Sequence, residues 1–176
     1  LTAGDPREIV DANVVRADLT SSSAYGAAVY SDEYLQMSNM TVSSSMATGY
    51  DVYGGGVAAD NGMNTTNLTV VGTVANAVHY IEGGAIYEDS YSSSINLVID
   101  QTTATVTGAD SGIEGGAIYP YHLALDGGLV TRTTATASGD GSYIQGYRRV
   151  KMSHASITGT KSWPNVARAD NLILVG

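Results

Sequence analysis

Ile81-Glu82-Gly83-Gly84-Ala85-Ile86-Tyr87 returns, residue for residue, as Ile113-Glu114-Gly115-Gly116-Ala117-Ile118-Tyr119. Looser copies precede the pair at Ala24-Tyr25-Gly26-Ala27-Ala28-Val29-Tyr30 and Val52-Tyr53-Gly54-Gly55-Gly56-Val57, and a weaker one follows at Ile144-Gln145-Gly146-Tyr147. The leading glycines stand at 26, 54, 83, 115 and 146, so the intervals are 28, 29, 32 and 31 residues. A fixed period in this range is the mark of a solenoid, in which each repeat buries its apolar face against its neighbours.

A second motif keeps step with the first. Thirteen residues after Gly26, Gly54 and Gly83 an asparagine opens an apolar segment: Asn39-Met40-Thr41-Val42, Asn67-Leu68-Thr69-Val70 and Asn96-Leu97-Val98-Ile99. The same segment is traced backward to Asn13-Val14-Val15-Arg16 and forward to Gly128-Leu129-Val130-Thr131, and Met152-Ser153-His154-Ala155-Ser156-Ile157 repeats it with His154 in the asparagine position. A third β-rich piece follows, as in Gly72-Thr73-Val74-Ala75, Thr103 to Thr107 and Thr133 to Ala137. These pieces are too short for hairpins, and no helical stripe runs through them.

Three short strands in about thirty residues predict a right-handed parallel β-helix of about six coils, with 26–32 residues per coil and about 4.8 Å between coils. The leucine-rich repeat, the nearest rival in period, carries an L-x-x-L-x-L signature that is missing here. One domain over 1–176 is expected, divided into an N-terminal coil at 1–23, regular repeats at 24–158 and an irregular C-terminal coil or cap at 159–176, where Trp163-Pro164 interrupts the pattern.

Stacking places equal repeat positions on top of one another. Four inward columns are therefore predicted: Ala24, Val52, Ile81, Ile113 and Ile144; Val29, Val57, Ile86 and Ile118; Met40, Leu68, Leu97 and Leu129; and Val42, Val70, Ile99 and Ile157. The Gly-Gly corner supplies positive φ and close approach of the chain. The asparagines read as an amide ladder at a bend.

The tetrapeptide Gly-Gly-Ala-Ile, present at 83–86 and 115–118 and approximated at 26–29 and 54–57, resembles the repeat of the polymorphic outer-membrane protein and adhesin-like β-helix families. The resemblance covers roughly residues 24 to 150. It implies a surface-exposed passenger or adhesin segment. The Phe-x-x-Asn tetrapeptide of those families has only its Asn half here, because the chain contains no Phe.

Composition agrees with an extracellular β-protein. Charged residues make up 14% of the chain, against about 25% in ordinary domains. Gly, Ser, Thr and Asn fill the polar positions. Seventeen acidic residues against eight basic ones give a net charge of -9, which argues against nucleic acid or an anionic membrane as partner. No apolar run is long enough for a membrane-spanning helix, and cysteine is absent, so neither a disulfide framework nor a thiolate metal site is expected. The chain opens on Leu1, which reads as a processed product or a fragment.

Chemistry has few candidates. Glu82 and Glu114 share a column, which predicts two carboxylates about 4.8 Å apart on the outside of the coil. Such a pair suits weak Ca²⁺ binding or a raised carboxyl pKa of the glycosidase kind, and equally suits two solvated glutamates. No other cofactor is expected. Tyr30, Tyr87 and Tyr119 form a stripe interrupted by Ala58, fit either to meet a sugar or protein face or to pack in place of Phe. Of the sequons at Asn39, Asn64 and Asn67, only Asn64 lies outside the ladder and is a glycosylation candidate. His79, His122 and His154 never pair at ligand spacing, and Arg148, Arg149 and Lys151 form the one basic cluster. The expected function is a non-enzymatic secreted or cell-surface scaffold whose ligand is a protein or glycan surface or further copies of itself. End-to-end stacking into a filament and a polysaccharide lyase or hydrolase on the same fold are the alternatives.

Overall fold

The computed structural model describes residues 7–138 and, beyond them, the backbone of the strands at 143–145, 150–158, 161–163 and 172–175. In chain order the strands are β1 (Arg7–Val10), β2 (Asn13–Val15), β3 (Asp18–Tyr25), β4 (Val29–Ser31), β5 (Leu35–Ser43), β6 (Met46–Tyr53), β7 (Val57–Ala59), β8 (Met63–Val71) and β9 (Val74–Glu82). They continue as β10 (Ile86–Asp100), β11 (Thr103–Val106), β12 (Gly112–Glu114), β13 (Ile118–Thr131), β14 (Thr134–Ala137), β15 (Tyr143–Gln145), β16 (Val150–Thr158), β17 (Lys161–Trp163) and β18 (Leu172–Val175). All pair in parallel and fall into two sheets, one following β1-β5-β8-β10-β13-β16-β18 and the other built on β3, β6, β9, β11 and β14. The chain alternates between the sheets, so each strand pairs with its own counterpart one turn away. The fold is a parallel β-solenoid.

It makes about four turns, fewer than the six coils expected. The expected cap at 159–176 lies outside the described residues apart from the backbone of β17 and β18.

The first two predicted columns form in register: Ala24, Val52, Ile81, Ile113 and Ile144 on one side, and Val29, Val57, Ile86 and Ile118 on the other. All of these up to residue 118 are buried. The column of Val42, Val70 and Ile99 also forms, and it includes Val130 between Ile99 and Ile157. Full burial of each such side chain is worth about 1.5–3 kcal/mol.

The glycine corner is tighter than a turn alone requires. Gly83 has φ +69°, and a Cβ there would lie 1.8 Å from the Ile86 carbonyl oxygen. Gly84 has no unusual φ, yet a Cβ on it would meet the Gly116 carbonyl oxygen at 2.1 Å, the Thr102 methyl at 3.0 Å and the Ala104 Cβ at 3.1 Å. Gly55 faces Thr73 and Ala75 in the same way. The two walls of the solenoid therefore meet here, glycine against the alanine column Ala47, Ala75, Ala104 and Ala135. This waist, too narrow for larger side chains, explains the core cluster of Ala, Val and Ile along it, while the other core cluster holds Leu and Met as well.

Two further corners carry non-glycine residues at positive φ. One is the asparagine column, with Asn39, Asn67 and Asn96 at +51°, +55° and +54°. Asn67 Nδ2 donates to Asn39 Oδ1 (2.8 Å) and Asn96 Nδ2 to Asn67 Oδ1 (3.0 Å). The other contains Ser44, Gly72, Gln101 and Arg132, where Arg132 pairs with Asp100 and holds its carboxyl below the ordinary range. Asn is the side chain best suited to this backbone region after Gly, because its short amide is satisfied locally.

Two register expectations are corrected. The ladder begins at Asp11 (φ +52°), whose Oδ1 accepts from Asn39 Nδ2 at 2.9 Å, while Asn13 lies opposite Thr41. At the other end Leu97 pairs with Gly128, so Gly127 takes the asparagine position and Leu129 points outward at 38% exposure. The cause is a register shift: β10 runs from Glu88 to Tyr91 while β13 runs only from Pro120 to His122, and since β10 keeps step with β7 and β8, it is β13 that is one residue short. His154 then falls opposite Gly127, since Asp126 pairs with Ser153 and Gly128 with Ala155.

Two urea-unfolding comparisons check these readings. Gly84→Ala should cost more than about 3 kcal/mol, because backbone must move to admit its Cβ. Gly72→Ala, which keeps positive φ but meets nothing closer than 3.6 Å, should cost only about 1–2 kcal/mol. Similarly, Asn67→Ala should be worse than Asn67→Gly by about 1 kcal/mol: both lose the ladder bonds, but only alanine adds left-handed strain.

Candidate functional site

The glycine corner draws the predicted tyrosines together, though not as an open stripe. Tyr30, Ala58, Tyr87 and Tyr119 are in register, and Tyr25 and Tyr53 stand in the column that continues as Glu82 and Glu114. Tyr25 and Tyr53 stack at 4.5 Å, Tyr53 meets Tyr87 edge-on at 5.3 Å, and Tyr87 stacks on Tyr119 at 5.8 Å. Ala58 leaves the space that these rings occupy. Tyr87 and Tyr119 are consequently 7% and 4% exposed. Of the three candidates only Tyr30 faces solvent, and its hydroxyl donates to Asp60 Oδ2 (2.9 Å), which with burial pushes its pKa up to about 12. Burial, first, pushes Tyr53 up to about 12 as well.

The two glutamates are in register as expected, but they do not lie together on the outside. Glu114 is buried at 6% exposure and accepts a hydrogen bond from the Tyr80 hydroxyl at Oε1 (2.7 Å), while Glu82 is half-buried. Among the described residues no group of three or more His, Asp or Glu side chains is placed to hold a metal ion. Asn64 is exposed on the outer face of β8, where its Oδ1 accepts from Ser93 Oγ (2.8 Å). It borders a shallow depression lined by Glu8, Gln36, Met37, Ser38 and Thr66. Asn39 and Asn67 spend their amide N–H groups in the ladder.

Sequence reasoning overlooked two other aromatic groups, because neither falls on the glycine repeat. Tyr91 stacks on His122 at 4.5 Å with the rings 1° from parallel, and Tyr121 stands edge-on to both at 6.2 and 4.9 Å. Tyr91 is 69% exposed and Tyr121 is also open to solvent. On the second sheet Tyr50 stacks on His79 (5.1 Å), whose Nδ1 lies 2.9 Å from Asp51 Oδ1. In each pair a tyrosine lies over the histidine one turn on, a regularity visible in the sequence only once the register is known. The Tyr91 group sits where β10 and β13 lose step. Gly62 lies close against it: a Cβ there would lie 2.4 Å from the Tyr91 carbonyl oxygen.

One buried group was also missed. Glu88, in the inward column with Ser31, Ala59 and Pro120, has no solvent exposure.

Removing the Tyr80 hydroxyl isolates the geometry at Glu114. Tyr80→Phe should lower stability by about 1–3 kcal/mol in chemical unfolding, since the buried carboxyl oxygen loses its phenol donor.

The chain was compared with protein-family models, with curated proteins and with solved structures, and none of them matches it.

Proposed function

We propose that this chain is a non-enzymatic scaffold of the secreted or cell-surface kind, which uses its solenoid to present aromatic side chains to a protein or glycan ligand. The observation that carries this reading is the exposed group of Tyr91, Tyr121 and His122 on the outer face of β10 and β13. Large aromatic side chains with a polar tip bury much area at small entropic cost and are enriched at recognition surfaces. Here the rings fix one another by stacking, so little rotamer freedom remains to be lost on binding. The sheet is paired on both sides of the step beside them, Glu88 with Pro120 before it and Tyr91 with His122 after it, which holds their spacing. The Gly-Gly-Ala-Ile repeat and the sparsely charged, acidic surface favour the same reading.

Glycan-array and cell-surface retention assays, with sedimentation run in parallel, test it. Tyr91→Ala and Tyr121→Ala should each reduce retention by at least about tenfold while leaving the unfolding midpoint unchanged. Retention indifferent to both substitutions would overturn the proposal, and self-association in sedimentation would assign the surface to copies of this chain instead.

A further inference from the structure

We propose that Glu88 is a proton-operated catch that holds the Tyr91, Tyr121 and His122 surface in its ordered form. The inference rests on the reading of that surface as the binding face, and it adds its regulation.

Glu88 occupies the last paired position before β10 and β13 lose register, with Ala59 of β7 below it and Pro120 of β13 above. The turns on either side put Ser31, Ala59 and Pro120 at this point, and among the described residues of this column only Glu88 is a carboxyl. Neither carboxyl oxygen has a hydrogen-bond partner. Ser92, whose hydroxyl oxygen accepts the Met63 amide N–H (2.9 Å), is near enough to ease the burial only in part. No charged side chain acts on Glu88 from β7, β8, β13 or its own strand: Tyr87 points to the opposite face, and Asp89 is exposed beyond it.

A carboxyl so placed is tolerated only while it is neutral. Burial pushes its pKa up to about 8 from an ordinary 4.5. Below pH 4.5 the folded and unfolded chains are both protonated there, and the turn has its full stability. As pH rises from 4.5 to about 8 only the unfolded chain gives up the proton, so stability declines, and above 8 the fold carries a buried, unpaired charge.

The weak point for relieving that charge is adjacent. The bulge is already unpaired between Glu88 and Tyr91, Pro120 brings no amide N–H to the ladder, and Gly62 beneath it brings no side chain. Opening of this segment would carry Glu88 to solvent and separate Tyr91 from His122. Ionisation therefore couples to the surface through two residues of backbone.

Hydrogen exchange of the intact chain, corrected for intrinsic base catalysis, reads the catch without any ligand. Amides 88–93, 119 and 121–123 should exchange at least about tenfold faster at pH 9 than at pH 6, while those of β5 and β6 stay level. Glu88→Gln should remove the difference. The carboxyl carbon of Glu88, followed by NMR in the unsubstituted protein, should titrate near pH 8, which keeps the test decisive even if the variant does not fold. Titration of that carbon in the ordinary carboxylate range, or equal pH dependence in Glu88→Gln, would overturn the proposal. Loss of ligand retention in Tyr91→Ala bears only on the binding face, so the two ideas fail separately.

Discussion

Everything in this molecule depends on identical backbone positions lying one strand spacing apart. Parallel pairing satisfies the N–H and C=O groups of each turn with those of the next, and it commits every side chain to a neighbour of the same kind. Isoleucine lies on isoleucine at 81 and 113, and asparagine on asparagine at 39, 67 and 96. Like neighbours are favourable when they are apolar, when they exchange amide hydrogen bonds or when aromatic rings stack. They are unfavourable when they are charged, and the sparse charge of the chain follows from this.

The same constraint limits width. Where Gly84 meets Thr102 and Ala104 across the interior, the walls touch with nothing between them but methyl groups. The larger aromatic side chains cannot enter, so tyrosine gathers outside the glycine corner and builds a small second core there. That outer core buries Tyr87 and Tyr119, the packing role that the missing Phe left open. A narrow interior and a sheathed corner are two results of one geometry.

Departures from the repeat then stand out as places where something other than packing has been served. The residue that β13 lacks against β10 ends the asparagine ladder at Gly127 and turns Leu129 outward, beside the exposed Tyr91. Glu88 lies at the start of that irregularity. A buried acid, a bulge and an exposed aromatic group within a few residues form the most chemically distinctive region among the described residues.

Periodicity alone determined the parallel solenoid, the glycine corners, the apolar columns at 24–118 and the amide ladder, because in-register stacking writes its spacing directly into the chain. It also picked out Asn64 as the sequon outside the ladder. Tertiary structure decided what spacing cannot carry: which of two adjacent residues occupies a column after a one-residue shift, as at Gly128 against Leu129, and whether an outward position stays exposed, as it does not at Glu114, buried and bonded by the Tyr80 hydroxyl. The Tyr91 surface and the interior placement of Glu88 also emerged only there. Both depend on the pairing of two strands about thirty residues apart, and a local sequence window holds no record of the step at which that pairing slips.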